Sequence, residues 1–584
     1  MACYLLSLAL MTAAQTSLGD ASIRTVAAEE LVQRGPGLLE HFDAGTGRFG
    51  KGIWIVQDQQ VIYPLAVLYA TELENNPYYK DAALLDTIMK GGDALIDDAD
   101  ENGQWEFRKK DGSTWGKIHM PWTYSRWARA FALVRDDMPS DRRARWEQAL
   151  ALGYGHIAED CLGHVHNIPT HHAMGLYIAG KALDRPEWCK RAGDFMQTVV
   201  ATQRDGGYWS EGTGPVVGYN FVYLDALGTY YAVSNDKRVL PALDKAAVFH
   251  HRFTYPNGAN MAAIDERNPY HETVQRGNVG FTFSASGWAF LENQWRNLGG
   301  GDPRKGIDKL SADFLASLAA YGGEYQPGKT GSATREPLFL LEEEGRAMAA
   351  VVSEMDWTVC LSAYTAPVPE NRWLQDRQDM LSVFHASGLV LGGGNTKLQP
   401  GWITFTVGDT SLLKHEAGDE DPDFLPKGEL YHVPSEARIL MEPSPGLALK
   451  YGEETCRVFV RCRGKGAMRI RYDATLNSGL PVVAHLPLIP RIGQTIMTDG
   501  GQSVTLGDEP FDWTAEQVDG AVTHGAWRLV VPACATVHWP ALPHNPYRKD
   551  GRAAPKEGRI EVRIPFDEQH TSHNVDVEIV APLG

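Results

Sequence analysis

The feature that most constrains the fold is a change in the period of the hydrophobic pattern near residue 322. Before this point apolar residues recur every three or four positions, which predicts amphipathic helices; the clearest segments are 123–138, 141–162, 171–183, 186–203, 220–234 and 283–298. After residue 337 the period is two, which predicts half-buried strands; the clearest segments are 346–365, 437–464, 527–542, 559–566 and 574–583. A helical half followed by a strand half predicts two packed domains.

The helical half, residues 22–322, is predicted to contain roughly ten to twelve helices joined by short turns, as in antiparallel helical hairpins. No repeat of fixed length is visible, which favours an α/α toroid of hairpins over a solenoid. The stretch "YGGEYQPGKTGSATREP" is rich in Gly, Pro, Ser and Thr and predicts a linker over 323–337. Residues 338–584 are predicted to form an antiparallel β-sandwich.

Charge and composition narrow the possible partners. The chain of 584 residues has a formal net charge of −18, which argues against nucleic acid and anionic membrane surfaces as partners. No segment has the roughly 20 apolar residues of a membrane span, so no membrane insertion is expected. Its 16 Trp and 22 Tyr suit either an aromatic core or a cleft for flat sugar faces. An acidic substrate would require a local basic patch, and the oligomeric state stays open.

The first 21 residues contain an apolar run, 4–14, followed by small residues, which is typical of a secretory signal peptide. The run is not preceded by Lys or Arg, and an amphipathic first helix is the alternative. A signal peptide would make the protein periplasmic or secreted. The seven cysteines include no Cys-x-x-Cys pair, which gives no support for a zinc ribbon or thioredoxin-like chemistry.

The segment "HVHNIPTHHAMGLYIAG", 164–180, places an Asn and four His at the start of a predicted helix. Asn167 is either a helix N-cap or a site residue. His171 shares a helix side with Asn167, whereas His172 points elsewhere. Because the His spacing matches no common zinc pattern, no metal is expected. The sequence also contains no P-loop and no Rossmann fingerprint, so no other cofactor is expected.

The segment "GGYWSEGTGPVVGYNFVYLDAL", 206–227, places polar aromatic residues around a glycine-rich turn. Tyr219 and Tyr223 are four residues apart and therefore lie on one helix face. These phenols, with Trp209 and Glu211, are interpreted either as core or as the wall of a binding site.

Two further stretches supply candidate substrate-binding or catalytic groups. The polar loop 260–278 contains Arg267, Tyr270, His271 and Arg276, and is expected at one rim of the toroid. The stretch 371–405 contains Arg377 and His385 before a glycine triplet that is interpreted as a turn between strands. The acidic stretch 415–424 is interpreted as a solvated loop, since it lacks the EF-hand pattern. Paired carboxylates of a glycoside hydrolase, drawn from Glu211, Asp265 and Glu266, are an alternative.

The two motifs "HNIPTHHAMGLYIAG" and "GGYWSEGTGPVVGYNFVYLDALGTYYAVS" resemble those of heparinase II/III-like and alginate-lyase-like polysaccharide lyases. That resemblance implies an α/α toroid followed by an antiparallel β-sandwich. It also implies that Asn167 neutralises a uronate carboxylate and that Tyr219 acts as base and acid. The chain departs from the family where Ile168 replaces the catalytic His and Pro169 replaces a Gly.

Several residues are candidates to replace the missing groups. His171 or His172 would stand in for the absent His, and His385 or Arg377 would be the partner from the β domain. Trp209, Glu211 and Tyr223 would bind sugar, together with Arg267, Tyr270, His271 and Arg276.

The resulting hypothesis is a carbon–oxygen lyase that acts on a uronic-acid-containing polysaccharide by β-elimination. A glycoside hydrolase on the same toroid and a non-catalytic glycan-binding protein are the alternatives. Which uronate polymer is bound, and whether cleavage is endo or exo, stays open.

Overall fold

The protein consists of a ring of helices followed by two packed antiparallel sheets. A computed structural model describes residues 22–50, 55–267, 273–324, 335–368, 376–395, 401–413, 428–543, 545 and 547–580. The predicted signal peptide, most of the predicted linker, the acidic stretch 415–424, and Tyr270 and His271 lie outside the described residues.

Thirteen helices lie in the described part of the first half, slightly more than predicted. They are α1 Ile23–Leu39, α2 Ile55–Asp58, α3 Ile62–Ala70, α4 Ala82–Asp98, α5 Pro121–Val134, α6 Ser140–Asp160, α7 Asn167–Ala182, α8 Pro186–Ala201, α9 Val217–Ser234, α10 Leu240–Arg252, α11 Ala285–Leu298, α12 Pro303–Ile307 and α13 Ala312–Tyr321. None of the helices in the described part of the chain is long and apolar enough to cross a membrane.

The helices form a closed ring. On its inside α3 packs on α5, α5 on α7 and α7 on α9. A 3₁₀ turn at Val279–Phe283 packs against both α9 and α13. The ring closes because α13 packs back on α3, and α1, α4, α8 and α10 cover the outside. This arrangement confirms the predicted α/α toroid.

Local sequence explains where several of these helices begin and end. Pro121 and Pro186 occupy the first turns of α5 and α8, where a missing backbone N–H costs nothing. The Asp81 side chain caps α4 by accepting from the Leu84 amide at 2.7 Å. Helix α9 ends at Ser234, and the next residue, Asn235, adopts the left-handed conformation that Asn tolerates.

Four short strands interrupt the described part of the helical half and were not predicted. Strands β1 Phe42–Asp43 and β2 Arg48–Phe49 pair with each other, and β3 Trp105–Arg108 pairs with β4 Thr114–Ile118. The β3–β4 hairpin lies between α4 and α5 in the chain.

The second half forms two antiparallel sheets around one apolar core, which confirms the predicted sandwich. The first sheet contains β5 Leu338–Glu343, β6 Arg346–Glu354, β7 Trp357–Ser362, β8 Leu381–His385, β9 Gly388–Leu391, β10 Phe405–Gly408, β11 Leu430–Tyr431, β16 Val482–Leu488, β19 Phe511–Trp513, β22 Thr536–Ala541 and β23 Arg559–Pro565. The second contains β12 Glu436–Leu440, β13 Gly446–Tyr451, β14 Glu454–Gly464, β15 Ala467–Ala474, β17 Thr495–Thr498, β18 Ser503–Thr505, β20 Ala521–His524, β21 Trp527–Val530 and β24 Ser572–Ile579. A short helix α14, Ala515–Val518, precedes β20.

The first sheet packs against the toroid through a buried apolar cluster. Phe249, Phe253 and Tyr255 at the end of α10 meet Leu341 and Phe384 of the sheet. Buried polar contacts accompany this cluster. The Tyr364 hydroxyl on the sandwich side donates to Glu343 at 2.6 Å, and the Tyr208 hydroxyl of the toroid lies 3.1 Å from the Tyr364 hydroxyl. The interface fixes the loops of the toroid that lie next to the sandwich.

Candidate active site

A cavity of about 570 Å³ opens where the toroid meets the sandwich. It is lined by the N-terminal ends of α7 and α9, the β3–β4 hairpin, the start of α5 and one residue of the sandwich. The lining residues are Gln57, Gln60, Phe107, Lys110, Trp115, Ile118, Met120, Trp122, Asn167, Ile168, Tyr219, Arg267 and Tyr547. Its volume lies within the range of roughly 300–1,000 Å³ that is typical of ligand sites.

The electrostatic character of this cavity is opposite to that of the whole chain. Two of its described lining residues, Lys110 and Arg267, are cationic, and none of the described ones is acidic. The chain as a whole carries a formal charge of −18. The described wall of the cavity is therefore locally cationic although the chain is acidic.

Asn167 lies at the first position of α7 and is held there by Glu211. Its backbone N–H donates to Glu211 Oε1 at 2.9 Å, and its side-chain amide donates to Glu211 Oε2 at 2.7 Å. The Tyr223 hydroxyl donates to Oε1 at 2.5 Å, and His166 Nδ1 lies 3.1 Å from Oε2. Glu211 thus fixes the orientation of Asn167 and satisfies an amide at the start of the helix.

Behind this group lies a buried aromatic pair. The rings of Trp209 and Tyr223 stack at 4.8 Å with an angle of 8°, and both residues are buried. Trp209 Nε1 donates to the Val199 carbonyl at 2.7 Å. Trp209, Glu211 and Tyr223 were predicted to bind substrate, but none of them is among the described residues that line the cavity. Instead Glu211 holds Asn167, Tyr223 donates to Glu211, and Trp209 stacks on Tyr223.

Tyr219 lies in the first turn of α9 and lines the cavity. The guanidinium of Arg267 lies over its ring at 5.1 Å from the centroid, and Arg267 also donates to the Tyr547 hydroxyl at 3.4 Å. Tyr547 comes from the sandwich, so both domains contribute to the site. Tyr219, Asn167 and Arg267, all predicted from the sequence, are brought to one cavity.

Asp265 connects the two elements that carry Tyr219 and Arg267. Its Oδ1 accepts from the Val217 amide at the start of α9 at 3.2 Å and from the Arg267 amide at 2.9 Å. Burial raises the pKa of this carboxyl to about 7, against the two amide hydrogen bonds and the charge of Arg377, which lower it. Asp265 positions the cleft and does not line it.

The turn that carries Glu211 is pressed against the sandwich. Arg377 donates to the carbonyls of Ile264 at 2.7 Å and Pro215 at 3.1 Å, and Glu266 accepts from the Thr213 amide at 3.0 Å. A Cβ on Gly214 would lie 2.8 Å from the Arg377 guanidinium, so this position requires glycine. Arg377 is fully buried and holds these loops together. It was predicted to contact substrate, but it is not among the described residues that line the cavity.

None of the three histidines predicted to be catalytic, His171, His172 and His385, is among the described residues that line the main cavity. Ile168 does line it. His172 is buried beside His119, and burial lowers its pKa to about 3. His385 lies at the end of β8, where its ring nitrogens contact Ser387 Oγ at 2.8 Å and the Lys465 carbonyl at 3.1 Å.

His171 lines a second, smaller cavity of about 240 Å³ on the inside of the ring. It contacts Ser125 Oγ at 2.8 Å and stacks on Trp122, which borders both cavities. Burial holds its pKa well below the usual value, so the ring is neutral. Arg276 also lines this smaller cavity and not the main one.

Several functional candidates were missed by sequence reasoning. They are Gln57, Gln60, Lys110, Trp115, Trp122 and Tyr547, all of which line the main cavity. The hairpin residues among them follow a strand-like alternation around Asp111–Gly112, a dipeptide that favours tight hairpin turns. That signal was present in the sequence, whereas nothing local indicates that Tyr547 reaches a toroid loop.

Comparisons with known proteins agree with this architecture. Residues 57–268 match a family model described as the ulvan lyase N-terminal domain. Comparison with curated protein sequences gave no match.

Solved structures that share the fold include two polysaccharide lyases. Heparinase III has a TM-score of 0.56 and 11% identity, over 98% of this chain and 88% of its own. A xanthan lyase from Paenibacillus has a TM-score of 0.52 and 11% identity, over 96% of this chain; the match spans 57% of the xanthan lyase. These comparisons bear out the predicted resemblance to polysaccharide lyases and the predicted fold, a toroid followed by a sandwich.

Proposed function

We propose that this protein cleaves a uronic-acid-containing polysaccharide by β-elimination in the 570 Å³ cavity, and that ulvan is the first polymer to test. The observation that carries the proposal is that Asn167, Tyr219 and Arg267 meet in a cationic cavity of a strongly acidic chain. The description of the matching family model supports the choice of ulvan.

Neutralisation of the uronate carboxylate is the first requirement of the reaction. The Asn167 amide, oriented by Glu211, and the Arg267 guanidinium donate hydrogen bonds to the carboxylate. As the C5 proton leaves, negative charge spreads onto this group, so fixed donors stabilise the transition state more than the bound substrate. The Glu211 carboxylate ensures that Asn167 does not have to reorient during the reaction.

Proton transfer is assigned to Tyr219. Its phenolate oxygen takes the C5 proton, the electron pair forms the C4–C5 double bond, and the bond from C4 to the glycosidic oxygen breaks. The same Tyr219 hydroxyl then returns the proton to the departing oxygen. The Arg267 guanidinium, 5.1 Å from the ring centroid, favours the phenolate form of Tyr219 that is needed before the first step.

The hydrolase alternative finds no support in the geometry. Glu211 and Asp265 each accept at least two hydrogen bonds from groups that they position, and Glu266 accepts from Thr213 and Arg377. None of these three carboxylates is among the described residues that line the cavity.

The product identifies the reaction. The purified protein is incubated with ulvan, alginate, glucuronan and heparan sulfate, while ultraviolet absorbance and the masses of the released oligosaccharides are recorded. We expect an absorbance rise with at least one polymer and products that carry an unsaturated uronate end. Products heavier by one water without absorbance would mean hydrolysis, and intact polymers in all four reactions would contradict the proposal.

We further propose that the chain is exported, since the apolar run 4–14 resembles a signal peptide and a polymeric substrate is met outside the cell. Amino-terminal sequencing of the protein from expressing cells checks this; a mature protein that begins near residue 22 is expected, and retention of residues 1–21 would contradict it.

A further inference from the structure

The β3–β4 hairpin forms one wall of the main cavity and is anchored firmly at its base. Trp105 is buried, and its Nε1 donates to the Leu95 carbonyl of α4 at 3.1 Å. At the tip, Asp111 Oδ1 accepts from the amide of Ser113 at 3.0 Å and from its hydroxyl at 2.7 Å. The hairpin is therefore an ordered element that presents fixed side chains.

Its aromatic residues form a platform at the cavity. Trp115 is 52% exposed although it is the largest side chain of the hairpin tip. Its ring stacks on Phe107 at 4.6 Å with an angle of 15°, and both rings line the cavity. An exposed Trp held by a second ring is suited to pack against the apolar face of a sugar.

The cationic side chains of the hairpin differ in whether they have a partner within the protein. Arg108 pairs with Glu106, Lys117 pairs with Asp100 at 3.0 Å, and the Lys109 ammonium lies 4.9 Å from the Trp115 ring centroid. Among the ion pairs between described residues none includes Lys110, which is exposed and lines the cavity. Lys110 is thus the cation of this wall that is left for a ligand.

Two separate walls of the cavity therefore carry a cation. Arg267 lies beside Tyr219, where the uronate to be cleaved is placed, whereas Lys110 lies on the hairpin with the aromatic platform. The proposed function assigns Arg267 to the uronate being cleaved, which leaves Lys110 without an assigned anion.

We propose that the hairpin Trp105–Ile118 is a specificity element that binds a second acidic sugar, next to the uronate being cleaved. Trp115 and Phe107 pack on the sugar ring, and Lys110 pairs with its anionic substituent, either a sulfate ester or a second carboxylate. This inference rests on the proposed function, because it assigns the neighbouring sugar of the same substrate.

The test compares Lys110→Gln and Trp115→Ala with Lys117→Gln, a matched control on the same hairpin whose ammonium pairs with Asp100. The probes are ulvan oligosaccharides, native and chemically desulfated, and the readout is the dissociation constant from calorimetry. To keep the probes intact, each variant and the reference also carry Tyr219→Phe. Thermal unfolding of each variant checks that it is folded.

We expect Lys110→Gln to weaken binding of the native probe about tenfold, equivalent to roughly 1.4 kcal/mol, and Lys117→Gln to leave it unchanged. A loss confined to the native probe identifies a sulfate, and an equal loss with both probes identifies a carboxylate. Trp115→Ala is expected to weaken both probes. Equal affinity of the Lys110 and Lys117 variants for both probes, or no binding of either probe by the reference, would overturn the inference.

The two proposals fail in different ways. If the hairpin variants bind as expected but the otherwise unaltered chain yields no unsaturated product, the elimination is wrong and the hairpin assignment stands. If elimination proceeds and the Lys110 variant behaves like its control, only the hairpin assignment is wrong.

Discussion

Glu211 is the residue whose replacement tests the construction of the site most sharply. Its carboxylate accepts from the Asn167 amide groups at 2.9 and 2.7 Å and from the Tyr223 hydroxyl at 2.5 Å, and its side chain is only 8% exposed. Glu211→Gln keeps the shape but turns one acceptor oxygen into an N–H group that faces other donors. At least one hydrogen bond to a charged group is lost, which is worth about 1.5–3 kcal/mol.

We therefore expect the free energy of unfolding of Glu211→Gln to fall by about 1.5–3 kcal/mol. We also expect kcat/KM to fall roughly 100-fold, because the Asn167 amide is no longer held toward the substrate. Urea denaturation followed by circular dichroism measures the first quantity, and initial rates of absorbance measure the second.

The control is Glu187→Gln on the exposed surface of α8, which removes the same charge far from Asn167. If Glu211→Gln matched this control in both stability and kcat/KM, the reasoning that Glu211 organises the site would be refuted.

Three further perturbations have defined outcomes. Asp265→Asn should flatten the pH dependence of stability. The pKa of the Asp265 carboxyl is about 7 in the folded protein, above the usual 3.8, so the wild-type protein loses stability as pH rises from about 4 to about 7. Melting temperatures of both proteins across this range check the prediction, and parallel curves would contradict it. Arg267→Gln should raise KM for an acidic polymer at least about tenfold by removing one charge-assisted contact, and it should reduce the salt dependence of KM; an unchanged salt dependence would argue against a carboxylate contact. Arg377→Lys should lower the free energy of unfolding by about 2–4 kcal/mol, because a single ammonium cannot satisfy the buried carbonyls of Ile264 and Pro215 together. If urea denatured the variant and the wild type at the same concentration, the hydrogen bonds of Arg377 to these carbonyls would not contribute to stability.

The overall fold was predictable because hydrophobic period reports secondary structure directly. The helical period ends with α13 at Tyr321, and the first strand of the sandwich begins at Leu338. The four short strands within the helical half were missed, because each spans five residues or fewer and period is hard to recognise over so short a stretch.

The site was predictable in part. Asn167 and Tyr219 were identified through motifs, and the structure places both on one cavity. Trp209 and Tyr223 were expected to face sugar, yet they stack on each other in the interior. Sequence spacing shows that two residues share a helix face but not whether that face meets solvent or another element.

Long-range contacts account for the remaining differences. Tyr547 and Arg267 are 280 residues apart in the chain, and their contact depends on how the sandwich packs against the toroid. Arg377 was a plausible substrate ligand by residue type, but its position between two buried carbonyls makes it a structural residue. Such roles follow from tertiary packing and have no local sequence signal.

The measurement that tests the central claim most directly is a time course of ulvan cleavage by the wild-type protein and by Tyr219→Phe, with binding of the same polymer measured in parallel. The account predicts that the wild type produces unsaturated uronate ends, whereas Tyr219→Phe binds ulvan with similar affinity and cleaves it at least about 100-fold more slowly, as expected for loss of a general base. Wild-type rates in Tyr219→Phe would contradict the assignment of the proton transfer to this phenol.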